Sequence, residues 1–523
     1  MRYPFIVISG VAAVLSLCAY GCMVGPNYKR PDVTVSQTWM ESGDKRVSDS
    51  AADYRNWWKN FNDTTLNSLI DRAYRQNLSL QIAGVRVLEA RAQLGIAAGK
   101  FFPQTQQATG SLTHVRTSQS AAQAFPPFEF TTDQIGASAI WELDFWGKFR
   151  RGIQSAGASW MATAADYDNA LVSLTADVAN SYINIRTLEK RILIARQNVE
   201  TQKESLKIAD AKFHYGTVSQ LDVDQASTLL NDTLAAIPSL ETQLKQQKDA
   251  LCVLLGVAPN DLADILKGPS EIPVSPTAVV VGIPADLLRR RPDVRSAEYQ
   301  AAAQSAQIGV AKSDLYPALS LSGSFGFMSS NAGKIQLSDI FLWKSRTYQF
   351  GPSFQWNILN YGQITNNIRF QDALLQELLI RYQNSVLTAQ QEVEDNLAVF
   401  LRSQERADYL AKSTQAAKDA LDLAIKQYRE GTVDFTTVLT AQQSLLSEQD
   451  NLASTLGNIS LGLVGVYRAL GGGWEIREGK DMVSPVITEE MKKRTNWGSL
   501  LAPVSYNPST VDKPKSAISS PDW

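Results

Sequence analysis

The spacing of apolar positions along the chain follows two patterns, and each occurs twice. Over 149–215 and 364–430 there is no proline and little glycine, and Ala, Leu, Gln, Glu and Ile dominate, a composition of strong helix formers. Apolar residues such as Leu171, Leu174, Val178, Tyr182 and Ile185 recur at threes and fours, which is the period of one helix face. At 1.5 Å per residue each segment makes a helix of roughly 100 Å, longer than an ordinary globular core, so it needs helical neighbours along its length. The turns Gly216-Thr217 and Gly431-Thr432 supply them. Each glycine can take the left-handed conformation that ends a helix, and Ser219 or Asp434 can cap the next one. The pattern predicts two long antiparallel helical hairpins, 149–257 and 364–471. Pro238 is expected to kink or divide the return helix of the first.

The second pattern alternates. Tyr348, Phe350, Pro352, Phe354, Trp356 and Ile358 form an apolar face against Gln349, Gly351, Ser353, Gln355 and Asn357, and Ile135 to Leu143 do the same against Gln134 to Asp144. Leu319, Leu321, Phe325 and Phe327 against Ser320, Ser322 and Ser324 give a third such segment, and residues near 107–116 a weaker fourth. Strands are expected at about 106–117, 131–144, 318–329 and 347–358. Alternation of this kind by itself favours a soluble sandwich, in which apolar faces meet in a core.

The chain is also written twice. Gly136, Trp141, Gly147, Gly216, Val218, Ala226 and Gly256 recur 215 positions later as Gly351, Trp356, Gly362, Gly431, Val433, Ala441 and Gly471. Slightly upstream the shift is 214, pairing AQLGIAAGKFFP (92–103) with AQIGVAKSDLYP (306–317). This period is far above that of solenoid repeats and marks a duplicated half-molecule. The expected units are 64–271 and 272–474, preceded by 22–63 and followed by an irregular segment, 475–523, rich in Pro, Ser, Lys and Asn. From about residue 503 that tail reads as disordered, unless Trp497 and Trp523 pin it down.

The N-terminus changes the choice between sandwich and membrane. Arg2 precedes an apolar run over 4–17, too short for a comfortable bilayer span and the right size for a secretory signal core, so 1–21 reads as a signal peptide. Ala19-Tyr20-Gly21-Cys22 places a small residue before a cysteine, as a lipoprotein signal peptidase requires. Ala19 stands where leucine is usual, so the motif alone leaves open a chance cysteine beside an ordinary cleavage site. No later run is long enough for a membrane helix, so a membrane can be crossed only by β-strands. Four strands cannot close a barrel, and open edges are not tolerated in lipid. Dimers with eight strands or trimers with twelve are the small solutions, with the hairpins continuing below as a helical tube.

Composition excludes more than it assigns. The net charge is −2, with 44% hydrophobic and 20% charged residues, which implies no nucleic-acid partner. The cysteines are Cys18, Cys22 and Cys252, which build no disulfide framework, and Cys252 reads as a buried small hydrophobe. Only His114 and His214 are present, so metal clusters and His-based catalysis lack material. GIAAGK (95–100) is one residue short of a phosphate loop and sits on a helix. No catalytic site, metal site or cofactor is expected.

Several strings resemble the NodT-type, TolC-like outer membrane factors of RND efflux systems, over nearly the whole chain up to about Trp474. CMVGPNYKRP (22–31) is similar to the family's post-cleavage signature. NWWKNFND (56–63) with LNSLIDRAYRQN (66–77) resembles its first equatorial segment, and LLRRRPDVRSAE (287–298) its most recognisable internal string. The last also reads as a plain helix end and Pro break, and Trp57 and Trp58 as core. The resemblance implies a mixed α and β membrane channel: a homotrimer with a twelve-stranded barrel, a periplasmic helical barrel and a mixed equatorial belt. It implies lipidation at Cys22 and a place in the outer membrane, with a periplasmic adaptor and, indirectly, an inner membrane RND pump as partners. The implied function is export of small toxic compounds. An outlet for type I protein secretion is the alternative, and a coiled-coil surface protein a remote one.

The hairpin tips, Gly216, Thr217, Gly431 and Thr432, are the chain reversals at the far end of the tube and the expected adaptor-docking points. The resemblance further implies a gate there. It places an acidic residue six positions after the first tip glycine and a tyrosine three before the second, here Asp222 and Tyr428. Ser219 and Asp222 also read as a helix-start capping pair, and the two roles are compatible. Thr437 and Thr440 stand where the family often has acids, leaving Asp434 as the nearest carboxylate and a strong acidic ring in doubt.

Overall fold

The structure, a computed structural model, describes residues 23–50, 53–116, 118, 120, 129–267, 271–284, 290–331 and 337–502. A two-residue strand β1 (Val47–Ser48) precedes helices α1 (Thr64–Gln76) and α2 (Leu78–Gly99). Asp63 and Asn77 accept the backbone N–H groups of Leu66 (3.0 Å) and Leu80 (2.8 Å), so each helix starts on a side-chain cap. Strands β2 (Thr105–Arg116) and β3 (Glu129–Leu143) lead into α3 (Lys148–His214) and α4 (Gln220–Leu254). After β4 (Val279–Val280), which pairs in parallel with β1, the order repeats: α5 (Pro292–Ser313), β5 (Ala318–Ser330), β6 (Arg346–Gln355), α6 (Gln363–Glu430) and α7 (Phe435–Ala469). A short helix α8 (Pro485–Arg494) follows.

The long helices begin and end on glycines. Gly147 (φ +80°) and Gly362 (φ +83°) precede α3 and α6, which run for 67 and 68 residues, roughly 100 Å each. At the far end Gly216 (φ +69°) and Gly431 (φ +76°) are left-handed, a conformation that costs a residue with Cβ about 1–2 kcal/mol. The next residue completes the stop in both hairpins. Thr217 donates its N–H and Oγ1 to the Lys212 carbonyl (2.9 and 2.8 Å), and Thr432 does the same to Gln427 (3.0 and 3.1 Å). Ser219 and Asp434 occupy the N-cap positions of α4 and α7, but neither side chain bonds the helix backbone. Pro238 does not divide α4, which is one helix of 35 residues. Burial of Leu240 against Leu188 and Ile192 of α3 holds the helix together across the proline.

The main core forms where the hairpins meet α1 and α2. Trp57 and Trp58 are buried in it, Trp57 stacking on Tyr467 of α7 at 5.3 Å. Near its centre Asp168 of α3, fully buried, accepts from Arg295 Nη2 of α5 (2.8 Å) and from Arg477 Nη2 (2.9 Å) and Nε. Both guanidiniums lie over the Trp474 ring, 4.6 and 5.5 Å from its centroid. Burial raises the Asp168 carboxyl and the two arginines oppose it. The arginine-rich string is structural: Pro292 opens α5, and Arg291 bonds Asp293, Glu392 and the Ala469 carbonyl. Residues 285–289 of that string lie outside the described residues.

Residues 23–50 form a strap along this body. Arg30 makes a two-pronged bond to Glu298 (2.7 and 2.6 Å). The Ser36 and Met40 N–H groups then donate to Gln390 (3.0 Å) and Glu394 (2.8 Å), and Arg46 to Glu405 (3.0 Å). The partners on α6 descend in order.

Candidate functional site: the open sheet and the hairpin tips

The four long strands make one antiparallel sheet in the order β2-β3-β5-β6, with β2 and β6 each paired on one side only. Its register sorts the side chains into two faces. Rows such as Gln107, Ser138, Ser324 and Gln349 lie across the strands on one face, and Ala108, Ala137, Phe325 and Tyr348 on the other. Among the described residues nothing covers the apolar face: Phe350 is 79% exposed, Phe354 71% and Tyr348 62%. A soluble sandwich buries such a face. Uncovered, it suits hydrocarbon, and strands of 12, 15, 13 and 10 residues meet the 9–11 or so that a tilted membrane strand needs. Among the described residues no helix is long and apolar enough to cross a membrane.

Both repeats fasten the lower end of this sheet in the same way. Trp141 Nε1 donates to the Phe101 carbonyl (3.1 Å) and Trp356 Nε1 to that of Leu315 (3.0 Å). The donors are repeat counterparts, and so are the acceptors. Met23, the first described residue, sits at this level, packed where a Cβ on Gly147 would fall (2.7 Å from its Cγ). Cys22 itself lies outside the described residues.

At the opposite end the tips have a small core of their own, in which Ala209 and Ala226 of the first hairpin join Leu421, Tyr428, Phe435 and Val438 of the second. Gly216, Thr217, Gly431, Thr432 and Asp434 are exposed there, and Asp222 is half-buried. The structure does not bond Asp222 to Tyr428. Ser219 Oγ faces Asp222 Oδ1 at 3.5 Å. The Tyr428 ring is buried edge-on against Phe435, and its hydroxyl has no hydrogen-bond partner. Burial and, next, the Asp222 carboxylate push that hydroxyl up to about 12.

Arg429 Nη2 faces Glu204 Oε1 at 3.6 Å across the two hairpins at this level, and a second polar link comes from a residue that motif reasoning passed over. Lys212 Nζ donates to the Tyr428 carbonyl at the end of α6 and lies 4.4 Å from the centroid of the Tyr428 ring, which satisfies a helix C-terminal carbonyl with a cation. The available signal was its position, a lysine in the last turn of α3. The first tip also leaves Tyr215 and Leu221 exposed, at 86% and 62%. Among the described residues no group of His, Cys, Asp and Glu could hold a metal ion.

The model of one protein family, described as outer membrane efflux protein, matches residues 69–257 and 283–472. The chain belongs to this family. The efflux channel is 31% identical to nodulation protein T of Rhizobium leguminosarum bv. viciae over 463 residues, covering 88% of this chain and 93% of that one. It is 29% identical to the toluene efflux pump outer membrane protein TtgC of Pseudomonas putida, covering 90% and 96%. Among solved structures it matches the outer membrane channel OprN with a TM-score of 0.81 and 33% identity, over 87% of this chain and all of that one. The efflux channel therefore has the TolC-like fold with tandem repeats and resides in the outer membrane, where it serves as the exit duct of a tripartite efflux system.

Proposed function

We propose that three copies of the chain close their four-stranded sheets edge to edge into a twelve-stranded barrel, lipid outside and the Ser/Gln/Thr face lining the lumen. The observation that carries this reading is the sheet with an uncovered aromatic face and two open edges, since unpaired backbone groups are not tolerated in hydrocarbon. The hairpins then continue the duct into the periplasm. Small toxic compounds or drugs are the cargo, in keeping with relatives named for toluene efflux and antibiotic efflux. The duct carries out no chemistry of its own.

A periplasmic adaptor docks at the tips, where Gly216, Thr217, Gly431 and Thr432 leave the backbone accessible and Tyr215 and Leu221 offer apolar contact; the inner membrane RND pump is reached through it. The tips are also the gate, with Asp222, Tyr428 and Asp434 around the constriction and Lys212 holding the second hairpin to the first. Cys22 carries acyl chains. The seating of Met23 beside Gly147, at the foot of the sheet, supports this reading, because the first described residue already lies at that level.

Purified channel in planar bilayers, with the mass of the detergent-solubilised particle, tests the assembly. Trimers with discrete conductance steps are expected, and a monomer that conducts nothing refutes it. Mass spectrometry of the mature N-terminus tests the acylation, an unmodified peptide beginning elsewhere being the refuting result.

A further inference from the structure

The apolar face of the sheet ends, at the side away from the helices, in cations. Beyond Leu112 that face carries His114 and Arg116 on β2, and beyond Tyr348 it carries Arg346 on β6. These strands are the two edges of the sheet, and both arginines are exposed. The nearby acids are engaged elsewhere. Glu129, opposite Arg116 in the ladder, faces His114 Nε2 at 3.2 Å, and Asp339 accepts from Lys344 (2.7 Å). Asp133 lies on β3, one strand in from the edge, with one carboxylate oxygen buried. Among the described residues neither Arg116 nor Arg346 has a carboxylate partner, and 117–128 and 331–336 contain no Asp or Glu.

The chain before β6 folds back onto the apolar face, where the Phe341 ring lies 6.5 Å from that of Phe327. Trp343 follows, exposed like Phe341. Its carbonyl accepts from Arg346 Nη1 (2.8 Å), and its ring centroid is 4.8 Å from the guanidinium carbon. The guanidinium is thus oriented with most of its N–H donors unused. Aromatic rings of this kind belong at the border of hydrocarbon and headgroups, and a guanidinium fork matches the oxygens of a phosphate.

The stagger of the strands decides what the two edges meet. Arg346 is in register with Phe327, Ile135 and Gly110, so β2 runs six residues further out than that row. At the foot the row of Thr105 ends at Gly351, and β6 runs four residues further down. An average offset of about five residues at 3.3 Å each, over three strand spacings of about 4.8 Å, is a tilt of roughly 50°, close to that of membrane strands. Copies closed with level rims therefore set the Arg346 end of β6 beside the Arg116 end of β2 in the next copy.

We propose that each seam between copies binds the phosphate of an anionic glycolipid of the outer leaflet, held between Arg346 of one copy and Arg116 of the next, with Phe341 and Trp343 along its acyl chains. Two unpaired guanidiniums brought together repel unless an anion lies between them, so the bound lipid also ties the copies at the outer rim. The site rests on the barrel reading, because neither edge holds both arginines alone.

The full-length channel in detergent, read by native mass spectrometry, tests this with diphosphoryl lipid A as probe. Rings of three should each retain up to three lipids. Arg116→Gln and Arg346→Gln should each bind about tenfold or more weakly, with the lysine variants substituted if either fails to form rings, and Arg369→Gln on α6 should bind normally. Mixed rings of the two Gln variants are the decisive arm. Whichever variant is in excess, one seam alone joins an intact Arg346 to an intact Arg116, so such rings should regain one lipid. Mixed rings that regain none, equal retention of fully dephosphorylated lipid A, or displacement by excess inorganic phosphate would each overturn the lipid site while leaving the barrel standing. Wild-type protein that forms no rings of three would remove the barrel reading and the site together.

Discussion

Asp168→Ala should loosen the equatorial body far more than any surface change. The carboxylate is fully buried, and it is the shared acceptor of two guanidiniums that are themselves only 5% and 3% exposed. Removing one member of a buried ion pair costs about 3–5 kcal/mol, because the partner is left charged without compensation. Two partners are left here, so the upper half of that range applies. At 1.36 kcal/mol per decade this corresponds to roughly a thousandfold. Hydrogen exchange is the suitable readout, since the cluster ties α5 and the Trp474–Arg477 turn to α3 and their local opening should dominate. Amides of α5 and of 474–477 should lose about three decades of protection, while the long-hairpin amides near the tips stay unchanged. Asp168→Asn, which keeps the shape and an acceptor oxygen, should lose less. Arg30→Ala, which removes a half-exposed pair with Glu298, should cost under about 1 kcal/mol. A loss below tenfold in Asp168→Ala would refute the view that this cluster clamps the body.

Gly84→Ala should displace the segment after the second hairpin, because a Cβ there would lie 2.2 Å from the Met482 carbonyl oxygen; the expected cost is about 1–3 kcal/mol, read as faster proteolysis of residues 478–502. Gly431→Val should weaken the second tip by about 1–2 kcal/mol through its left-handed backbone alone, since nothing lies within 4 Å of the added Cβ; faster exchange at the tip with intact oligomers is the result to look for. The Tyr428 hydroxyl is held protonated up to about 12, above the ordinary value near 10. Its contribution to tip stability should therefore be complete below pH 10 and lost as the pH rises through about 12, and the alkaline loss should vanish in Tyr428→Phe. The Asp44 carboxyl is lowered to about 2, chiefly by its hydrogen bond from Arg46. Ordering of the 44–46 turn within the strap by this pair should be complete above pH 4 and fade as the pH falls towards 2, measured as protease access to residues 41–50.

Repeat and period make most of the fold legible in the sequence. The alternation from Tyr348 to Phe354 separates an apolar from a polar face because a strand has only two, without saying what the apolar face meets, and the glycines at 216 and 431 name the chain reversals because few other residues end a helix so sharply. Periodicity gives the apolar stripe of a helix, but not which partner that stripe meets. Asp168 in an alanine-rich helix reads as an ordinary solvated charge, and its partners lie 127 and 309 positions away. Lys212 and Tyr428 are 216 apart, and nothing in local pattern pairs them. Phe213 and Tyr428 are repeat counterparts, yet the first is 37% exposed and the second buried, an asymmetry that duplication by itself hides. Pro238 shows the opposite case, a strong local breaker through which α4 nevertheless runs undivided.

The two unpaired edges of the sheet also decide how damage spreads among subunits. A protomer cannot settle in the bilayer alone, so each one must find partners before or while it enters. The edges that recruit those partners lie about 100 Å from the tips. A subunit with a ruined tip but sound edges would therefore join rings as readily as an intact one. In the proposed rings of three, drawn from an equal mixture, only about one in eight would escape it. Tip lesions should be dominant over the normal gene, and edge lesions recessive.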